Sequence, residues 1–259
     1  KTIKKEAAES IAVGYLHSYI NPKHELETRE ILKHHRPDLD ISISSEVAPE
    51  IREYERFSTT VCNAYVQPLM AKYLSRIKAG LEKKDIYSPF LLITSGGGLT
   101  TLETARKFPI RLVESGPAGG AILASKLSSQ LGSNASLSFD MGGTTAKLCL
   151  IDSGEPRIAR QFEVDRSYRF KKGSGLPLKI PVIEMLEIGA GGGSIAHVDK
   201  MDRIKVGPES AGSSPGPACY NLGGNQPTVT DADLFQGKMV VENFPFDLNA
   251  DLGREAINK

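Results

Sequence analysis

The sequence predicts an α/β protein, and three observations favour that class. Segments with apolar residues at helical spacing alternate with short apolar runs of strand length. Glycine-rich turns separate several of these segments, as expected where strands and helices are joined tightly. The chain has 259 residues, enough for one large domain or two modest ones with a sizeable core.

The first fifty residues predict the order α-β-α-β. Residues 5–20 carry apolar or small side chains at helical spacing, which predicts a helix leading into a strand, and Asn21-Pro22 interrupts the pattern. The charged segment "KHELETREILKHH" predicts an exposed helix. Apolar and polar side chains alternate in "DISISSEV", which predicts a half-buried strand.

Residues 58–84 predict the longest helix of the chain. Pro68 lies inside it and predicts a kink or a break, because proline cannot donate the helical hydrogen bond. The side chains expected to face the core follow a spacing of about 3.6 residues. They are Val61, Ala64, Tyr65, Leu69, Tyr73, Leu74, Ile77 and Leu81.

The next segment predicts two strands and two helices. "PFLLIT" reads as a buried strand stopped by "SGGG", and Thr100 or Thr101 is expected to cap the short helix "LETARKF". "IRLVES" predicts a second strand. Ser115 is the expected N-cap of the helix "AGGAILASKLSSQLG", with Pro117 in its first turn.

The last part of the chain predicts two glycine-rich connections between strands. The segment "FDMGGTTAKLCLID" predicts a β-hairpin, and "IEMLEIGAGGGSIAHVD" predicts strand, glycine loop and strand. Residues 207–227 are rich in loop-forming residues. The Thr-x-x-Asp pattern in "TVTDADLFQGKM" predicts a capped short helix.

Composition argues against several function classes. Lysine and arginine number 32 against 31 acidic residues, so a nucleic-acid or anionic-membrane partner is not expected. No Cys-x-x-Cys is present, and the three cysteines are expected to be reduced, buried thiols of a cytoplasmic protein. No apolar run reaches the length of a membrane span. The basic cluster in residues 166–172 predicts a solvated loop.

The two ends of the sequence predict an excised piece of a longer polypeptide. The start "KTIKKE" lacks Met and an apolar signal-peptide core, and it resembles the middle of a helix. The end "DLGREAINK" also stops within a helix-like pattern.

Two common phosphate-binding templates fail on this sequence. "GGAILASK" lacks the glycine that precedes lysine in a P-loop. "GAGGGS" at residues 189–194 has serine at the last position of the dinucleotide fingerprint. A strand-like segment follows it where that fingerprint needs a helix.

A third template, the phosphate hairpin of actin-like ATPases and sugar kinases, fits "FDMGGTT". Asp140 ends one strand, Gly142 and Gly143 allow close approach of main-chain N–H groups to an anion, and Thr144 and Thr145 add hydroxyl donors. The alternative is a tight structural hairpin with no ligand. Spacing alone leaves both interpretations open.

Four long motifs in a fixed order carry a resemblance to a known family. They are "ITSGGGLTTLETARKFPIRLVESGPAGGAILAS", "SFDMGGTTAKLCLI", "EIGAGGGSIAHVD" and "VGPESAGSSPGPACYNLGGNQPTVTDADLFQGKM". On these motifs, and on "SYINPKHE" before them, the chain resembles the ATP-dependent hydantoinase/oxoprolinase family over almost its whole length. The match is to the A-type subunit, and its relatives include 5-oxoprolinase and the acetone and acetophenone carboxylases.

The resemblance implies an actin-like ATPase fold with two ribonuclease-H-like halves, of which this chain holds mainly the second. Residues 1–50 would be the C-terminal tail of the N-terminal domain. Residues 51–259 would be the hydantoinase A/oxoprolinase domain, incomplete at its C-terminus. The family's other glycine-rich phosphate motif, near the true N-terminus, is absent from this sequence.

The resemblance also implies an activity: a hydrolase that opens a cyclic amide by ATP-dependent phosphorylation of the amide oxygen. Two alternatives stay open, a subunit of an ATP-dependent ketone carboxylase and a non-catalytic scaffold half. A sugar- or acid-kinase-like enzyme is a third. The implied cofactors are ATP and Mg²⁺ or another divalent cation. The implied partners are a small cyclic amide or ketone and a B-type hydantoinase subunit or domain, in a hetero-oligomer.

The same resemblance assigns roles to residues of both glycine loops. Asp140 would orient the metal ion or its water, and Thr144 would act with it at the phosphoryl group. Main-chain and hydroxyl groups at 142–145 would hold phosphate oxygens. A second loop would face the nucleotide or substrate, with close strand packing as the alternative; it comprises Gly191, Gly192, Gly193 and Ser194.

Two departures from the family pattern leave the substrate open. Lys147 stands where many members have aspartate, and "EMLEIGAGGGS" lacks the histidine that many members carry before the glycines. Weaker candidates have a structural interpretation at least as good as a functional one. They are the helix start Ser115-Gly116-Pro117, the possible acids Asp231 and Asp233, the loop residues Glu209 and Ser210, and His197.

Overall fold

The computed structural model describes residues 8–165, 167 and 173–259, which form two compact units. The first unit comprises Lys1–Asn134 and Asp152–Glu184, and the second comprises Ala135–Ile151 and Met185–Lys259. The expected solvated loop at Arg166, Arg169, Lys171 and Lys172 lies outside the described residues, as does the start of the chain. Among the described helices, none combines the length and apolarity that a membrane crossing requires.

The first unit begins with a β-α-β arrangement. Strand β1 (Ser10–Val13) pairs in parallel with β2 (Asp40–Ile43), and helix α1 (Lys23–His35) connects them. Helix α1 confirms the prediction from "KHELETREILKHH". The predicted helix over residues 5–20 is wrong where the structure describes it, because residues 10–13 form a strand. Val13 and Ile43 are buried in this core with Leu39 and Ile41.

The strand predicted from "DISISSEV" ends early, and one buried carboxylate explains why. After β2 the chain turns into the single helical turn α2 (Ser44–Val47). The Ser44 hydroxyl donates to Glu25 Oε1 at 2.6 Å, and the Ser45 amide donates to Oε2 at 2.8 Å. These bonds draw the chain around the carboxylate, so the strand ends at Ile43.

Glu25 belongs to a buried charged network. Burial acts to raise the pKa of its carboxyl, but hydrogen bonds from Ser44 and Ser45 outweigh that effect and hold the pKa below its usual range. Arg56 is fully buried, donates to Ser44 Oγ at 3.1 Å and also binds the Tyr15 carbonyl at 2.9 Å. Ser44 therefore bonds both the Glu25 carboxylate and the Arg56 guanidinium. It thereby links α1 to the long helix that carries Arg56.

Helix α3 (Glu53–Glu82) is the longest element and confirms the predicted long helix. It runs through Pro68 without a break, so of the two predicted outcomes the break does not occur and the kink stays a prediction. The predicted apolar stripe is only partly core-facing. Ala64 and Leu74 are buried, whereas Val61, Tyr65 and Leu69 are 56%, 84% and 68% exposed. The buried side is largely polar and includes Arg56, Ser58, Thr59, Thr60, Asn63 and Gln67.

The polar side of α3 binds the ends of other elements. Asn63 Nδ2 donates to the Lys107 carbonyl at 3.0 Å, and Asn63 Oδ1 accepts from the Ile110 amide at 3.2 Å. Thr59 Oγ1 accepts from the Lys179 amide at 2.8 Å. Each of these bonds satisfies a main-chain group that regular secondary structure leaves without a partner.

The glycine segment "SGGG" forms the turn of a hairpin between β3 (Leu91–Ile93) and β4 (Leu99–Thr101). Of the two candidate caps, Thr101 is the one used, because its hydroxyl accepts from the Thr104 amide at the start of α4 (Leu102–Lys107). The strand predicted from "IRLVES" is wrong. Pro109–Leu112 is a 3₁₀ turn, and its Ile110 amide is bound by Asn63.

Helix α5 (Ser115–Gln130) follows, with one correction to its predicted start. Ser115 is the first helical residue and does not cap the helix; Glu114 stands at the cap position with a left-handed φ of 60°. The first unit also contains short strands. They are β7 (Glu155–Pro156), β8 (Ile158–Ala159), β9 (Phe162–Val164), β10 (Leu176–Leu178) and β11 (Val182–Ile183).

The second unit is built on three strands of a four-stranded sheet, in the order β12-β6-β5. Its strands are β5 (Ala135–Met141), β6 (Ala146–Asp152) and β12 (Leu186–Ile188). A separate antiparallel pair joins β13 (Ser194–Val198) to β14 (Ile204–Ser210), so part of the predicted loop over 207–227 is strand. Helices α6 (Val229–Phe235) and α7 (Ala250–Asn258) and 3₁₀ turns at Ala218–Tyr220 and Val241–Asn243 complete it.

Candidate functional site

The hairpin predicted from "FDMGGTT" is present in the second unit. Strands β5 and β6 are neighbours in the sheet, and the turn between them closes with the Gly142 amide donating to the Thr145 carbonyl at 3.0 Å. Asp140 lies on β5, two residues before the turn, and is exposed. The sheet therefore presents the acid and the turn together at one end of β5.

The tip of this hairpin carries donors that bind nothing else. Within the part of the chain that the structure describes, the main-chain amides of Gly143, Thr144 and Thr145 donate to no protein acceptor. The hydroxyls of Thr144 and Thr145 likewise make no hydrogen bond among the described residues. Gly143 and Thr144 are exposed. Several free N–H and O–H donors on an exposed turn are the features of an anion-binding loop.

The two glycines of the turn have no steric explanation within the fold. A Cβ added to Gly143 would meet no atom within 4 Å, and one added to Gly142 would lie 3.7 Å from the Thr145 carbonyl oxygen, an ordinary contact. Neither glycine has the positive φ that excludes other residues. The interpretation as a tight structural hairpin therefore does not explain why glycine stands at both positions.

The second glycine loop packs directly against the first. The Gly192 amide donates to the Gly142 carbonyl at 2.9 Å, and the Gly193 amide donates to the Gly143 carbonyl at 2.7 Å. A Cβ on Gly191 would come within 2.5 Å of the Thr144 main-chain nitrogen and 2.6 Å of the Gly143 carbonyl carbon. These glycines thus allow two main chains to touch, which is the packing alternative raised by the sequence.

Ser194 supports the same loop from inside. Its side chain is 1% exposed, and its hydroxyl accepts from the Gly191 amide at 2.9 Å. The amides of Gly191, Gly192 and Gly193 are therefore all bonded within the protein. Direct contact of these four residues with a nucleotide stays a prediction, whereas their contact with the hairpin is part of the fold.

Helix α6 fixes the second loop in turn. The Thr230 amide and hydroxyl both donate to the Gly192 carbonyl, at 2.8 and 2.9 Å. Thr228 and Asp231 form the predicted capping box at the start of the helix. The start of α6 therefore holds the second loop in place, and the second loop holds the hairpin.

Asp231 has no free oxygen to offer a metal ion in this arrangement. It is fully buried and accepts from the amides of Cys219 at 2.8 Å, Thr228 at 3.0 Å and Ala218 at 3.2 Å, and from the Thr228 hydroxyl at 2.8 Å. The structural alternative for Asp231, a helix cap, accounts for all of these contacts. Burial, with the Asp231 carboxylate beside it, raises the pKa of the Cys219 thiol to about 12.

Of the remaining candidates, Ser210 lies beside the second loop, since a Cβ added to Gly193 would come within 2.8 Å of its hydroxyl. Ser210 Oγ accepts from the Gly212 amide, and His197 is exposed on β13 opposite Lys205. No group of three or more potential metal ligands occurs among the described residues. Asp140 alone still suits Mg²⁺, which is commonly held by one or two carboxylates together with substrate phosphates and water.

The fold and this hairpin define an α/β protein with a glycine turn suited to phosphate, and comparison with known proteins identifies the family. The hydantoinase/oxoprolinase family model matches residues 56–259, and the model of the hydantoinase/oxoprolinase N-terminal region matches residues 1–36. The chain belongs to the hydantoinase/oxoprolinase family, as its motifs predict.

Relatives and solved structures agree with this assignment. The chain is 36% identical over 90% of its length to caprolactamase subunit alpha of Pseudomonas jessenii, and 36% identical over 95% to 5-oxoprolinase of Saccharomyces cerevisiae. It matches the structures of the ATP-dependent caprolactamase of Pseudomonas jessenii (33% identity) and of a nucleotide-free acetone carboxylase (28%). Both matches have a TM-score of 0.73 over 99% of the chain. The predicted fold class is confirmed by these neighbours.

The chain is much shorter than the proteins it matches. It spans 32% of the caprolactamase subunit, 18% of the 5-oxoprolinase and 36% of each solved chain. The activity, substrates and partners of the whole protein therefore belong to the proposal that follows.

Proposed function

We propose that this chain supplies a phosphate-binding half of an enzyme that uses ATP to open a cyclic amide of the hydantoin or 5-oxoproline type. The observation that carries the proposal is the hairpin tip, where three amides and two hydroxyls have no acceptor among the described residues and two glycines have no steric role. Relatives named 5-oxoprolinase and caprolactamase support the choice of a cyclic amide.

Each residue of the hairpin would have a role that follows from its chemical groups. Asp140 would hold Mg²⁺ through its carboxylate, directly or through water, and the ion would neutralise charge on the phosphates. The amides of Gly143 and Thr144 would bind phosphoryl oxygens, and the hydroxyls of Thr144 and Thr145 would donate further bonds. Such fixed donors stabilise negative charge that builds up as the phosphoryl group moves.

The role proposed for the second loop is to position the hairpin. Gly192 and Gly193 donate to the carbonyls of Gly142 and Gly143, and among the described residues the amides of Gly143, Thr144 and Thr145 stay without an acceptor. Donors that are fixed before the substrate arrives need no reorganisation during reaction. Gly191 and Ser194 complete this support.

The coupling to ATP has a chemical reason. Resonance makes an amide carbonyl a poor electrophile. Transfer of the γ-phosphoryl group to the amide oxygen breaks the bond between the γ-phosphorus and the β–γ bridging oxygen of ATP and releases ADP. The new O–P bond draws electron density from the carbonyl carbon. Water then adds to that carbon, and the ring C–N bond breaks to release the amine and leave an acyl phosphate. A second water hydrolyses the acyl phosphate to the carboxylate and phosphate. The protein contributes position and charge neutralisation.

Three further assignments belong to the same proposal. Residues 1–50 would be the tail of the N-terminal domain and residues 51–259 the hydantoinase A/oxoprolinase domain. A B-type hydantoinase subunit or domain would be the partner, supported by the name of the caprolactamase relative as a subunit. Cytoplasmic location stays a prediction from composition.

A second candidate activity is ATP-dependent carboxylation of a ketone. One observation favours it, the equal TM-score of 0.73 to the acetone carboxylase and caprolactamase structures. Turnover of ATP by the full-length protein separates the candidates. Stimulation by hydantoin or 5-oxoproline supports amide opening, stimulation only by a ketone with bicarbonate supports carboxylation, and stimulation by neither rejects both.

The role of the hairpin is tested by Asp140→Ala in the full-length protein. ATP turnover is expected to fall by about a hundredfold or more. The variant lacks the carboxylate that would orient the metal ion toward the negative charge of the phosphoryl group. Asp247→Ala is the matched control, since Asp247 is exposed in the same unit and lies on a loop far along the chain. Unchanged thermal unfolding shows that the fold is intact. Wild-type ATP turnover by the Asp140 variant would reject the proposed site.

A further inference from the structure

The first unit contains a cavity of about 460 Å³ that no part of the phosphate proposal uses. It lies between the "SGGG" turn, the chain after α2 and the segment around residue 180. Its charged lining residues are Glu50, Arg111 and Lys179. Its apolar walls include Val47, Leu99, Ile180 and Pro181. A cavity of this size suits a small organic molecule.

Arg111 is the distinctive residue of this cavity, because it is half-buried and has no carboxylate partner among the described residues. Its guanidinium lies 4.6 Å from the centre of the Phe108 ring and donates one long bond, 3.4 Å, to the Glu46 carbonyl oxygen. The Glu46 carboxylate itself is bound by Arg29 at 2.8 Å and Lys107 at 2.7 Å. Throughout the described residues, no acid forms an ion pair with Arg111.

Such a charge is costly to leave alone. Loss of water around the guanidinium lowers the pKa of Arg111. Buried charges in proteins are generally paired or bind a ligand. The cation of Arg111 thus has donors available for an anion that enters the cavity.

The charge balance of the cavity indicates how many negative charges that anion carries. Lys179 is 15% exposed and forms an ion pair with Glu50 at 3.3 Å, so these two charges offset each other. Arg111 then leaves the lining with one net positive charge. A carboxylate supplies one negative charge and matches the fork of a guanidinium, whereas a phosphate monoester would bring nearly two.

Two neutral donors add to the site. Neither the Gly96 amide nor the Thr100 hydroxyl has an acceptor in the described parts of the chain. Thr100 is half-buried, and both residues line the cavity. These donors can share a carboxylate with Arg111, while the aliphatic walls accommodate a hydrocarbon body.

We propose that this cavity binds a small organic monocarboxylate, with its carboxylate on Arg111 and its apolar chain against Leu99 and Pro181. All lining residues belong to the first unit, whereas the hairpin belongs to the second. Failure of either proposal is therefore distinguishable from failure of the other, because carboxylate binding needs no ATP.

The test is a titration of the 259-residue chain with hexanoate, followed by NMR of arginine side-chain N–H groups and by calorimetry. Hexanamide, which has the same shape and no charge, is the control ligand. We expect hexanoate to bind at least about tenfold more tightly, since hydrogen bonds to a charged group are roughly twice as strong as neutral ones. Equal affinity of the two ligands, or no binding of hexanoate, would overturn the proposal.

Variants locate the site. Arg111→Gln is expected to weaken hexanoate binding by about tenfold or more and to leave hexanamide binding little changed. Arg106→Gln is the matched control, because Arg106 is exposed on α4 and does not line this cavity. If Arg111→Gln unfolds, Thr100→Val replaces it, with a smaller loss for hexanoate expected. Retention of wild-type hexanoate affinity by the folded variants would also overturn the proposal.

Discussion

The two glycine loops of the second unit have similar sequences and different physical reasons for their glycines. At Gly191 a Cβ would overlap the main chain of residues 143 and 144, so the fold itself requires glycine there. At Gly143 a Cβ would enter open space. The loop at 191–193 is bonded through its amides to the protein, whereas among the described residues the amides of the hairpin turn at 143–145 have no acceptor.

This contrast separates a supporting loop from a binding loop. A glycine that the fold requires reports on packing, and its replacement should affect stability first. A glycine that the fold does not require points to something outside the chain that needs the space. Substitutions at the two loops should therefore fall into different classes, one losing stability and the other losing ligand.

The largest loss of stability is expected from Gly191→Ala. The added methyl would lie 2.5 Å from the Thr144 nitrogen, and main-chain atoms on both sides must move to relieve the overlap. We expect the free energy of unfolding to fall by about 3 kcal/mol, at the upper end for overpacked sites. Chemical denaturation of the 259-residue chain measures it. A loss below about 1 kcal/mol would show that the two loops separate easily.

Gly143→Ala is the matched substitution in the other loop. Its methyl meets no protein atom, so the free energy of unfolding should stay unchanged or rise by up to about 1 kcal/mol. In the full-length protein the same methyl should weaken ATP binding by about tenfold or more, because it blocks approach to the amides. ATP titration measures this loss. Unchanged affinity would remove the functional reason for the glycine.

The smallest effect is expected from Thr230→Val, which tests the support behind the second loop. The change removes the hydroxyl bond to the Gly192 carbonyl and leaves the main-chain bond from Thr230 in place. A loss of about 1 kcal/mol in unfolding free energy is expected for one neutral hydrogen bond. Thr230→Ser keeps the hydroxyl and serves as the control. Equal losses in the two variants would assign the effect to packing and not to the bond.

Local signals in the sequence were sufficient for several elements. The capping pattern at Thr228 and Asp231 predicted the start of α6, and the apolar runs around Gly142 predicted the hairpin. Charge and periodicity predicted α1 with its observed bounds. In each case the residues that decide the structure are neighbours in sequence.

Non-local contacts decided the features that the sequence did not predict. Only part of the apolar stripe of α3 that was expected inside is buried. The buried side is largely polar because Asn63 and Thr59 satisfy main-chain groups of distant segments. The turn at Pro109–Leu112 depends on the same asparagine. The packing reason for Gly191 depends on residue 144, which lies far away along the chain. The open donors of the hairpin tip are likewise visible only in three dimensions.

The carbonyl of Gly142 accepts from Gly192, and the carbonyl of Gly192 accepts from Thr230. The hairpin turn is thus bonded to the second loop, and the second loop is bonded to the start of α6. The turn cannot move without disturbing the second loop. Proton exchange with heavy water at Gly192, Gly193 and Thr230 should then proceed at one common rate, as it does for amides that open as a single cooperative group.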